Sequence, residues 1–278
     1  MFRYEPDPRV GDWLSPRLGP FGAAVGSLVP RGFEAYARVL HPMYDADHAP
    51  VSWAEVAATT GRVLHPTAQA WRLARRSDVH AGRPATEPGV AGDAPETDVE
   101  WPGGDPAEGS LPPAQLRALS RVLAQHTDGD LVAAFWEGSG WDVGMQVVAW
   151  WSDDPDATPP PPRRAPDELA PEVLHGPKLE LPCRAHVLFR AATVDLEALA
   201  DGRATADVDP FHPGWRTPNL LWPDDHAWCL ATEVDLDSTV VGGTRALVDH
   251  LLATPDLEVL EVTEADSLGW YDDGVNAP

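Results

Sequence analysis

The chain has 278 residues, 43% of them hydrophobic, with 44 acidic against 20 basic side chains and a formal charge of −24. That length can bury a sizeable core as one large domain or two small ones, and the apolar content excludes a disordered chain. The acidic excess argues against direct contact with nucleic acid or an anionic membrane, which require cationic surface; it leaves a basic partner, a bound cation or plain solubility as its use.

The N-terminus, MFRYEPDPRVGDW, is polar and broken by proline, with no apolar core like that of a signal peptide. No window approaches about 18 uninterrupted apolar residues, so no membrane-spanning helix is expected, and the compartment expected is the cytoplasm. Residues 33–40 alternate in polarity and predict a strand ended by Pro42. SWAEVAATTG, 52–61, predicts a helix with Ser52 as its cap, Glu55 completing a capping box and Gly61 as its stop. A second helix is expected over 67–75, around Trp71. Residues 77–110 are rich in Gly, Pro, Asp, Glu and Thr and read as a flexible surface segment.

Pro112 and Pro113 open a helix that runs to Gln125, with Leu116, Leu119, Val122 and Leu123 as its buried stripe. Residues 131–136 and 145–151 read as neighbouring strands of a hairpin, joined by the glycine-bearing EGSGWDVG. The proline-rich stretch within 152–177 reads as a second flexible connection. Strands over 179–181 and 185–191, broken at Pro182, precede a short helix over 194–202. From Ala227 to Asp237 the polarity alternates as in one long strand, with Trp228, Leu230, Thr232, Val234 and Leu236 on one side and Cys229, Ala231, Glu233 and Asp235 on the other. A helix over 244–253 and a strand over 257–262 complete a strand–helix–strand unit, with a right-handed crossover if its strands are parallel.

Phosphate-binding Walker loops, dinucleotide-binding GxGxxG turns, HExxH, EF-hand loops and CxxC pairs are absent from the sequence. Chemistry is best sought at Glu233, Asp235 and Asp237, which on one strand face would stand about 6–7 Å apart per step. Two such carboxylates could bridge a divalent cation if a loop supplied more oxygens, or divide acid and base roles if burial raised one pKa. The plainer reading is an acidic solvent face. Gly242, Gly243 and Thr244 enter the following helix, so free backbone N–H groups there could meet an anion with help from Arg245. His226 and Cys229 would lie on opposite strand faces, about 10 Å apart, which disfavours a nucleophile–base pair. Trp222, before Pro223, Asp224 and Asp225, sits at a loop-to-strand junction that could line a pocket or contact patch.

The blocks SLVPRGFEAYARVLHP (27–42) and PNLLWPDDHAWCLATEVDLDSTVVGG (218–243) resemble an uncharacterised family of bacterial proteins from high-GC, actinobacterial-type genomes. The resemblance lies in the pattern P-R-G-F-x-x-Y-x-R-x-x-H-P and in W-P-D-D-x-x-W-C-x-x-T-E-x-D followed by a glycine pair. It implies a stand-alone cytoplasmic protein and assigns no catalytic residue. The acidity and the turn WEGSGW (136–141) also resemble immunity-type α+β proteins that bind basic toxins.

The fold expected is a single α+β domain with a mixed sheet of about six to eight strands flanked by helices and long proline-rich loops. The function expected is binding or regulation through an acidic surface that meets a basic protein. The competing expectation is a cation-dependent enzyme or ligand-binding protein built on the carboxylate cluster.

Overall fold

The computed structural model describes residues 2–76, 99–138, 170–192, 194–195 and 217–276. The expected strand over 145–151 and most of the helix over 194–202 lie outside them.

The strands are β1 (Arg3–Glu5), β2 (Ala35–Leu40), β3 (Met43–Tyr44), β4 (Pro50–Val51), β5 (Leu131–Trp136), β6 (Leu179–Leu181), β7 (Arg184–Ala191), β8 (Leu220–Pro223), β9 (Cys229–Thr232), β10 (Ser238–Gly243) and β11 (Val259–Val262). The helices are α1 (Val25–Leu28), α2 (Trp53–Thr60), α3 (Ala70–Leu73), α4 (Pro113–Leu123), α5 (Pro171–Leu174) and α6 (Arg245–Leu252). Nine strands form one sheet in the order β1-β7-β5-β8-β9-β10-β2-β11, with β6 beside the first half of β7. The α+β class is as expected. The sheet, however, is not mixed: every hydrogen-bonded pair among the described strands is antiparallel.

The C-terminal unit departs from its sequence pattern in two ways. Residues 227–237 are not one strand. β9 ends at Thr232, a tight turn follows, and β10 returns beside it with Thr239 opposite Thr232. The strand–helix–strand unit is β10-α6-β11. Both strands run antiparallel to β2, which lies between them, so they are parallel to each other without touching.

Both faces of the sheet are buried. On one, Ala37 and Val39 of β2, Leu131, Ala133 and Phe135 of β5 and Val187 and Phe189 of β7 pack under α4 and α6. The α4 stripe is the expected one, and Leu247, Val248 and Leu251 supply that of α6. The other face holds Val132, Ala134, Leu188, Trp222, Cys229, Ala231 and Val240 and is roofed by residues 10–33, where the one-turn helix α1 is set among short turns and loops. A third cluster joins Leu40 and Met43 to α2 and α3 around Trp53 and Trp101. Ser52 caps α2 by accepting the Glu55 N–H, and Gly61 stops it at a φ of 68° that favours glycine. Residues 99–110, expected as flexible, are tied down: the Trp101 indole donates to the Tyr44 carbonyl, and Arg76 pairs with Asp105 at 2.6 Å.

Arg38, in the middle of β2, has no exposed surface. Its guanidinium donates to Ser238 Oγ, to the carbonyls of Pro66 and Ala68, and to Asp237 Oδ1 at 3.0 Å, and it lies 5.2 Å from the Trp53 ring. Replacing it removes the cation that holds Asp237, which is 13% exposed, and leaves Ser238 Oγ and the Pro66 and Ala68 carbonyls without that donor. Arg38→Leu is expected to lower unfolding free energy by about 3–5 kcal/mol, read by urea denaturation; a loss under about 1 kcal/mol would show that the pair is dispensable.

Candidate functional site

The turn between β9 and β10 carries the three carboxylates singled out in the sequence, and it faces a cleft. The cleft, about 220 Å³, is lined by Phe21, Gln69, Glu108, Arg184, Glu233, Asp235, Leu236, Asp237 and Trp270 among others. Within the turn, Leu236 N–H donates to the Glu233 carbonyl, and Val234 N–H to the Glu233 carboxylate. Gly109 clamps it by donating to the Leu236 carbonyl. A Cβ on Gly109, which has a φ of +66°, would come within 2.8 Å of the Val234 backbone.

The floor is the second face of the sheet, and β7 supplies its polar groups. Arg184 and His186 are two residues apart, so both point to this face. The Arg184 guanidinium meets Glu233 at 2.5 Å and Asp235 at 3.3 Å. It stacks 4.7 Å from the Trp136 ring and 5.6 Å from that of Phe21. Burial pushes the Glu233 carboxyl above its usual range, and the Arg184 charge pulls it partly back. Asp237 is held by Arg38, whereas Asp235 is 64% exposed at the mouth.

The roof is residues 18–28, laid against 264–270. Val25 and Gly26 N–H groups donate to the Asp266 and Glu264 carbonyls, and Leu268 N–H donates to Ala23. Phe21 stands at its edge, 56% exposed. A smaller chamber of about 60 Å³ shares Phe21, Gly22, Leu28, Arg184 and Glu233 with the main cleft and continues to His186 and Asn219.

The remaining expected site residues do not join this cleft. Trp222 is fully buried against Trp13 in the second core and lines no contact patch. Asp224 pairs with Arg190, and Asp225 accepts from the Thr127 hydroxyl and the Ala227 N–H. Gly242 and Gly243 are ladder residues of β10, opposite Tyr36 and Ala35, and not a free helix entry. They serve close packing: a Cβ on Gly242 would come 2.6 Å from the Phe33 ring, and one on Gly243 2.7 Å from Leu247. Thr244 caps α6, and the Arg245 N–H already donates to Glu34, so a carboxylate of the chain itself holds the place an anion would take. About a full strand length, at about 3.3 Å per residue, separates these residues from Asp237, so cation and anion sites do not combine. Burial raises the Cys229 thiol, while His226 stacks on Trp13 at 4.2 Å; the two form no catalytic pair.

The three carboxylates, committed to Arg184 and Arg38, do not form a cage. Among the described residues no three His, Cys, Asp or Glu side chains are grouped to hold a metal ion. Nor is any described helix long and apolar enough to cross a membrane. No family model, curated protein or solved structure matches the chain.

Arg184, His186, Phe21 and Trp270 were missed by sequence reasoning. An arginine and a histidine at alternate positions of RAHVLFRA were the available signal, since polar side chains on an otherwise apolar strand need a partner.

His186 is buried and its pKa falls from 6.5 to about 4, first because burial strips its water and then because Arg184 is near. Burial also lowers His41, which bonds the Ala107 carbonyl and the Thr239 hydroxyl. Below pH 6.5 the unfolded chain takes up protons that these folded rings refuse, so stability present above 6.5 is lost as pH falls towards 4. Between pH 7.5 and 5.0, His186→Phe is expected to remove about 2 kcal/mol of this loss, measured by urea unfolding. Equal pH slopes in wild type and variant would contradict it.

Proposed function

We propose that the protein is a binding protein rather than an enzyme, and that its cleft receives the cationic side chain of a basic partner in the cytoplasm. The observation carrying this reading is the gathering of Glu108, Glu233, Asp235 and Asp237 around one cavity with the rings of Phe21 and Trp270. Four carboxylates against Arg184 and the buried Arg38 leave the cleft anionic. A guanidinium or ammonium gains charge-assisted hydrogen bonds from the carboxylates and ring contacts from the aromatics. Leu28, Leu236 and Leu268 suit the apolar stem of Lys or Arg. The net charge of −24 extends the attraction beyond the cleft and favours fast encounter with a basic surface.

The two blocks that resemble a bacterial family support the same locus: they contribute β2 and β10, adjacent strands joined by the Arg38–Asp237 pair. An immunity-like role, masking a basic protein, is one form of this reading.

Isothermal titration with short capped peptides centred on Arg, Lys or Ala tests it. The basic peptides are expected to bind at about 20 mM salt and weaken at about 300 mM, with no binding by the Ala peptide. Glu233→Gln should weaken binding about tenfold, and Asp235→Asn, more exposed, about two- to fivefold. Absence of binding by both basic peptides at low salt removes the reading. A melting temperature raised by Ca²⁺ or Mg²⁺ in wild type but not in Asp235→Asn would replace it with a divalent cation site.

A further inference from the structure

The cleft already holds a cation of the chain's own. Two arginines answer its carboxylates, and they are held in different ways. Arg38 has no exposed surface, and its donors reach Ser238 and the Pro66 and Ala68 carbonyls as well as Asp237, so it belongs to the core. The Arg184 guanidinium is engaged by groups of the cleft. It pairs with Glu233 at 2.5 Å and Asp235 at 3.3 Å, and it lies 4.7 Å from the Trp136 ring and 5.6 Å from that of Phe21. Strand register brings these groups together. Arg184 opens β7 opposite Leu181, across the tight turn at Pro182 and Cys183, and Trp136 ends β5 opposite His186. Carboxylates at the edge and a ring on the face suit a planar guanidinium, whereas an ammonium is a compact charge with no flat face to stack.

We propose that Glu233, Asp235, Trp136 and Phe21 form an arginine-recognition subsite, and that Arg184 is its resident competitor, filling it until an arginine of the partner takes its place. The inference rests on the reading of the cleft as a cation site and narrows the ligand from basic side chains in general to arginine. Exchange of one guanidinium for another leaves the ion pairs and ring contacts the same in kind, so the half-buried Glu233 is not left without a cation. A lysine replaces the charge but neither the fork nor the flat face, so it displaces Arg184 less well. Arg184 has room to leave. Its side chain is 12% exposed and forms a wall of both the cleft and the smaller chamber, so open space flanks it. Asp235, 64% exposed at the mouth, stays within reach of a guanidinium that swings towards solvent. The chain thereby holds down its own affinity and selects the side chain that reproduces the contacts of Arg184.

The test titrates the full chain, at about 20 mM salt, with capped glycine-flanked tripeptides centred on arginine or lysine. Wild type is expected to bind the arginine peptide at least about fivefold tighter than the lysine peptide. Arg184→Met keeps an apolar stem, removes the competitor and should tighten the arginine peptide at least about tenfold. Arg184→Lys leaves the net charge as it is but lacks the fork, and should tighten the same peptide about threefold. It decides the matter if Arg184→Met fails to fold by circular dichroism. Arg9→Met removes an equal charge from an exposed pair with Asp7, so it controls for the overall field and should change either affinity less than about twofold. If the folded Arg184 variants bind the arginine peptide no better than wild type, if Arg9→Met gains as much, or if wild type binds both peptides alike, the competitor is refuted while the cation cleft stands. If neither wild type nor any variant binds either peptide, the cleft reading falls and the competitor with it. Binding by the Arg184 variants alone would uphold the competitor and overturn the cleft as a site open in wild type.

Discussion

One guanidinium without water fixes the geometry of everything around the cleft. Arg38 sits on β2 between β10 and β11, and its donors reach Ser238 and Asp237 on one side and the Pro66 and Ala68 carbonyls on the other. A buried cation is tolerable only when its hydrogen bonds are made, so the turn before β10 and the chain leading to α3 can take few relative positions. Asp273 acts in the same way from the C-terminal segment. Its carboxylate accepts from His65, the Gln69 N–H, the Val275 N–H and Asn276, and these contacts hold its pKa below the usual range despite burial. Gln69, which lines the cleft, is thereby placed from both sides, since its own amide donates to the Leu268 carbonyl.

The same logic decides what the acidic turn can do. Three carboxylates near one another repel unless something positive lies between them, and here the chain supplies it. For a pair about 4 Å apart, Coulomb attraction at an effective dielectric of about 20 is near 4 kcal/mol, the same order as the cost of partly desolvating each ion. Glu233 records that balance: burial raises its pKa and Arg184 offsets the rise. A carboxylate held this way is neither a free metal ligand nor a strong acid. It is a group whose hydrogen-bonding capacity is shared with a neighbour. Asp235, at 3.3 Å from Arg184 and 64% exposed, gives up less still.

Much of the local structure was legible because it obeys short-range rules. The α2 cap and stop, the proline-opened α4 and its stripe, and the break between β6 and β7 at Pro182 need only neighbouring residues. The turn at 233–237 was not legible. Glu233, Asp235 and Asp237 continue the period-two pattern of β9 straight through the reversal, and nothing local in TEVDLDS marks a turn; the reversal depends on Gly109, Arg184 and Arg38, all distant in sequence. The burial of both sheet faces misled for a related reason. Alternation is informative when one face is wet, but Cys229 and Ala231 lie in one core while Trp228 and Leu230 lie in the other. The glycine pair was misplaced because a helix entry and a crowded ladder both favour glycine, and sequence alone does not separate them.

The location of the cleft follows from how the two faces are covered. On the α4–α6 side, helices present regular ridges of leucine and valine, and such surfaces interlock with a sheet at high density. The opposite face is covered by residues 10–33, where short turns, Pro16, Pro20, Gly19, Gly22 and Gly26 replace a helical stripe. Chain of that kind is held by backbone hydrogen bonds to 264–268 rather than by side-chain bulk. Gly26 shows why: a Cβ there would come 3.0 Å from the Glu264 carbonyl, so close backbone approach is kept and side-chain volume is given up. Volume missing from the roof appears beneath it, over the stretch of β7 that carries Arg184 and His186. The polar groups of the second face are therefore gathered under the one covering layer that does not fill the space above them.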